Sequence, residues 1–119
     1  MSTTIAGVWE LVDEHYEGLL VATETHASAI LMRKGRQLFS GPEPTEAEEA
    51  EAYRTLVAQA GPYTIEGSIL THHRRYARYP NSVGTDEQLW FQINGDRMTM
   101  HSIRPNGTSG PEMHWRKVG

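Results

Sequence analysis

The apolar–polar alternation in this chain returns too quickly for its strands to run parallel. Gly67-Ser68 separates Tyr63–Glu66 from Ile69–Tyr79, and Asn94-Gly95 separates Glu87–Ile93 from Arg97–Arg104. Both are hairpin-length turns, and Asn-Gly is a strong hairpin signal. Parallel neighbours need crossovers of a dozen or more residues, so these segments pair antiparallel. Val8–Tyr16, Leu19–Thr23, Ala27–Arg33 and Glu112–Val118 carry further alternating runs. The spacing therefore predicts eight strands. An open meander of that size leaves two unpaired edges, and closing it into a barrel removes them. The expected fold is an all-β, eight-stranded antiparallel up-and-down barrel, whose lumen is filled by side chains or holds one small ligand.

One helix interrupts the pattern. Thr45 stands three residues before Glu48 as a capping box, and Glu46, Glu48, Glu49 and Glu51 crowd the positive end of the helix dipole. Ala50, Tyr53, Val57 and Ala60 share a stripe at helical spacing, and Gly61-Pro62 is expected to stop the helix. It is read over residues 45–60, near one mouth of the barrel, with Tyr53 and Val57 facing that mouth.

The 119 residues make one domain, 1–119. A net charge of −4 argues against a nucleic-acid partner, and the basic run His72–Arg78 is too small to reverse that. The absence of cysteine excludes disulfides and thiolate chemistry. The N-terminus lacks the basic and apolar regions of a signal peptide, and no apolar run is long enough for a membrane-spanning helix. These features lead to the expectation of a cytoplasmic protein, as a monomer or homodimer.

The strand read at Ile69–Tyr79 has no greasy face. One row is Leu70, His72, Arg74, Tyr76 and Arg78; the other is Ile69, Thr71, His73, Arg75, Ala77 and Tyr79. Whichever row points inward brings polar groups with it, and each buried without a partner costs about 1–3 kcal/mol.

Several segments together resemble the small lipocalin-like domain family, built on a calycin-type barrel. They are Gly7-Val8-Trp9-Glu10-Leu11, Ser28–Arg33, Thr45–Glu49 with Ala60–Thr64, Thr71-His72-His73, Val83-Gly84-Thr85 and Gly95–Met100. The resemblance implies the eight-stranded barrel with a helix near one mouth and says little about activity. It also implies a histidine at position 72 and aliphatic residues at 74 and 76. The row holding Arg74 and Tyr76 is thereby assigned to the lumen, either as a specialised polar wall or with the strand twisted so that its far end reaches solvent.

Two functions follow from that assignment. The first is binding of a small, partly apolar molecule, with Arg74 paired either to an anionic group on that molecule or to an internal Glu or Asp. Its binding residues are Trp9 as barrel floor, the soft side chains Met32, Met98 and Met100, Tyr53 and Val57 at the mouth, and His72, Arg74, Tyr76 and Arg78. The second is a cofactor-independent enzyme of isomerase or cyclase type, with His72 as acid–base and Arg74 and Tyr76 stabilising an oxyanion. No cofactor is expected. No metal is expected either, since His72 and His73 point to opposite faces and no further ligand spacing joins them. Gly-x-Ser-x-Gly and phosphate-binding glycine loops are absent.

Overall fold

A computed structural model describes residues 4–119. Its strands are β1 (Gly7–Val12), β2 (Tyr16–Ala22), β3 (His26–Arg33), β4 (Leu56–Glu66), β5 (Ile69–Arg74), β6 (Tyr76–Ala77), β7 (Thr85–Asn94), β8 (Arg97–Ile103) and β9 (Met113–Lys117), with helix α1 (Glu46–Arg54) between β3 and β4. The neighbours run β3-β2-β1-β9-β8-β7-β5-β4, and pairing of β3 with β4 closes the ring. Eight long strands thus form a closed antiparallel barrel, with β6 as a short continuation of β5 along β4.

Alternation builds the interior. Trp9, Leu20, Leu70, Leu89, Phe91, Met98, Met100 and Trp115 are all buried in one core. Trp9, Ile5 and Met98 are almost fully enclosed and form the floor. Tyr63 closes the same end by donating its hydroxyl to the Thr23 carbonyl at 2.6 Å. The opposite mouth is where β3, β5 and β8 end and β4, β7 and β9 begin.

The capping box forms as read. Thr45 Oγ1 accepts from the Glu48 N–H at 3.1 Å, and Glu48 Oε1 accepts from the Thr45 N–H at 2.9 Å. The Thr45 and Ser40 N–H groups hold the Glu48 carboxyl below the usual carboxylate range. The helix is shorter than the 45–60 expected: it ends at Arg54, and residues 56–60 belong to β4. The Leu56–Ala60 stretch is apolar at nearly every position, so its period fits a helix or a strand equally. Pairing along β3, from Met32 opposite Leu56 to His26 opposite Pro62, decides for the strand. Gly61 and Pro62 therefore lie inside a strand, and Val57 is a barrel residue. No residue of α1 is buried.

The strand read over 69–79 is interrupted at Arg75. Tyr63 faces His72, but Ala60 faces Tyr76 rather than Arg75. One extra residue has entered the strand, which makes a β-bulge. Its backbone groups remain satisfied: the Arg75 N–H donates to the Ala60 carbonyl at 3.0 Å, and the Arg74 carbonyl accepts from the Gly84 N–H at 2.7 Å.

Candidate functional site

The inward row of β5 is Leu70 and His72, both buried, followed by Arg74 at the rim. The side-chain period in a strand is two, so the single residue added by the bulge reverses the row. Tyr76 pairs beside outward-facing Ala60 and is 72% exposed. Tyr76 and Arg78 are therefore corrected to positions outside the lumen. Arg78 instead lies over the Tyr53 ring, with its guanidinium carbon 4.1 Å from the centroid, and donates to the Tyr53 carbonyl at 2.7 Å. Tyr53 is thus an anchor for Arg78 and does not line the interior.

The barrel interior retains a cavity of about 60 Å³. Its walls are mainly aliphatic and thioether side chains, among them Leu31, Val57, Leu89, Met100 and Met113. Four polar side chains reach it: Gln59, His72, Glu87 and Trp115. Of the residues expected to bind, Val57, His72 and Met100 line this space. Trp9 and Met98 lie beneath it in the floor. Met32 points outward, because its neighbour Leu31 points in.

His72 is held firmly. Its Nε2 lies 3.1 Å from the Ala27 carbonyl. A carbonyl only accepts, so Nε2 carries the proton. Burial pushes the imidazole pKa down, while the Ala27 carbonyl and the charge of Glu87 act against that shift. The folded protein therefore takes up a proton here less readily than the unfolded chain, whose histidine titrates at about 6.5. The resulting stability is present above that pH and is lost as pH falls through it towards the folded-state pKa. His72→Gln, whose amide can still donate, is expected to show a shallower loss of stability between about pH 7 and 5 than the parent. Urea denaturation across that range checks this, and parallel pH slopes would refute it.

At the mouth the charges are paired within the protein. Glu87 faces His72 across the β5–β7 ladder. It accepts from Gln59 Nε2 at 2.9 Å on one oxygen, and its other oxygen lies 3.8 Å from Arg74 Nη1. Arg74 also donates to Thr85 Oγ1 at 2.7 Å. His73, on the opposite face, pairs with Asp86 at 2.7 Å. Among the described residues there is no group of three or more His, Asp or Glu arranged to hold a metal ion.

Three polar members of the cavity were not singled out from the sequence. Glu87 was legible, since it begins the alternating row of Leu89, Phe91 and Ile93. Gln59 was hidden in the segment read as helix. Trp115 lies in a short terminal strand whose alternation alone names no wall.

Comparison with known proteins agrees with the architecture. Residues 12–118 match the family model described as a lipocalin-like domain. A relative from Aspergillus oryzae, the 4'-hydroxy-3'-methoxypropiophenone carrier protein ppsC, is 30% identical over 106 residues, covering 76% of this chain and 96% of its own. With a family match over nearly the whole barrel and a relative aligned along almost its full length, this chain belongs to the lipocalin-like domain family.

Proposed function

We propose that this protein binds one small, neutral, largely apolar molecule in its barrel lumen. The observation that carries this reading is an interior cavity with mainly apolar walls under a rim whose charges already neutralise each other. Of the two partners open to Arg74, an anionic ligand group or an internal carboxylate, Glu87 supplies the second. An anion entering the lumen would lose hydration without gaining a free cation. The relative named as a carrier of an aryl ketone supports the same class of cargo.

The cavity is small for that cargo. At about 60 Å³ it is well under the roughly 300–1,000 Å³ of typical small-molecule sites. Binding therefore requires the walls to give way. Met100 and Met113 are the side chains suited to this, because methionine is unbranched and changes rotamer at low cost. In the enzymatic alternative His72 would act as acid–base through Nδ1, since its Nε2 proton is engaged by the Ala27 carbonyl.

Titration with 4'-hydroxy-3'-methoxypropiophenone, followed by tryptophan fluorescence and calorimetry, tests the proposal. Saturable binding with one site per chain is expected, with emission changing as the wall residue Trp115 is covered. Failure of this ketone and of related small aryl ketones to bind, together with native mass spectra free of any co-purified molecule, would overturn it.

A further inference from the structure

The two most enclosed tryptophans are treated differently by the fold. Trp9 and Trp115 are 1% and 2% exposed. Trp9 donates its indole N–H to the Ile5 carbonyl at 2.9 Å. The Trp115 indole N–H has no acceptor among the described residues. Buried indole N–H groups usually find a partner, and leaving one unmade is costly. Trp115 also lies on the cavity wall, which Trp9 does not.

The other polar groups of that wall are engaged. Gln59 is on Glu87, Glu87 is also near Arg74, and His72 is on Ala27. Trp115 is thus the wall residue that carries a buried N–H without a partner among the described residues.

We infer that the Trp115 indole N–H is the anchor of the lumen and recognises a hydrogen-bond acceptor, such as a ketone oxygen, on an otherwise apolar ligand. This rests on the lumen being the binding site. The donor is neutral, so it suits a neutral oxygen, and the aliphatic and methionine walls take the rest of the molecule. An indole N–H cannot accept, so a ligand whose only polar group is a donor gains nothing there.

The test compares propiophenone with propylbenzene, which has a similar apolar body and no acceptor, on the parent protein and on Trp115→Phe. The parent is expected to bind the ketone about tenfold more tightly, the size of one net hydrogen bond. Trp115→Phe should bind both equally, near the level of the hydrocarbon. Equal binding by the parent, or a ketone preference that survives in Trp115→Phe, overturns the anchor while leaving lumen binding intact. Binding of neither molecule by the parent overturns the lumen reading as well. If the variant does not fold, the parent alone decides the matter. The Trp115 indole N–H resonance should move downfield with the ketone and not with the hydrocarbon, and an unmoved resonance overturns the inference.

Discussion

Gly61→Val is expected to destabilise the barrel by about 3 kcal/mol or more, a large part of the roughly 5–15 kcal/mol that holds a domain together. A Cβ at Gly61 would collide with the carbonyl oxygen of His73. That oxygen is backbone and cannot swing aside as the end of a side chain would. Gly61 is buried in β4, where the partner strand passes from β5 through the bulge to β6. A side chain there forces apart the two strands that orient Arg74 and Tyr76. Gly41→Ala is the matched control, since a Cβ there meets nothing within 4 Å and the backbone is not left-handed. Urea denaturation compares the two. A Gly61→Val midpoint equal to that of the parent would show that β4 and β5 do not approach so closely.

Filling the lumen should abolish binding without unfolding the protein. Ala29 lines the cavity from β3, between Leu20 on β2 and Gln59 on β4. Ala29→Leu adds a branch sized to the roughly 60 Å³ available there. Filling existing space avoids much of the strain of overpacking, so stability should stay within about 1 kcal/mol of the parent. Affinity for 4'-hydroxy-3'-methoxypropiophenone should fall by roughly a hundredfold or more, because the branch and the ligand compete for one volume. Ile30→Leu, one residue along and 52% exposed on the outer wall, should bind normally. Loss of binding in Ile30→Leu with retention in Ala29→Leu would place the ligand outside the barrel.

Much of this molecule is legible in its sequence. Alternation at Val8–Val12, Glu87–Ile93 and Met98–Ser102, with Gly67-Ser68 and Asn94-Gly95 between strands, determines antiparallel pairing because both signals are local. The same holds for the capping box of Thr45 and Glu48, whose groups lie within one helical turn. Leu70, His72 and Arg74 lie on the inner row, a direction that the family resemblance implied and alternation alone leaves open. Tyr76 and Arg78 do not, because the row reverses at a bulge that shows only when β4 is laid alongside.

By itself, the sequence determined the antiparallel strands and their barrel, since a period of two and hairpin turns need only neighbours along the chain, whereas which row of β5 faces inward is decided by the fold. Tertiary structure alone decided where α1 yields to β4, as Leu56–Ala60 is apolar enough for either and only β3 offers it a ladder. It also decided that Glu87 balances Arg74, which turns an apparent anion site into a neutral rim. Lastly, it left the indole of Trp115 without an acceptor while satisfying that of Trp9. Hydrogen-bond partners brought together across a barrel come from distant parts of the chain, and no local pattern records them.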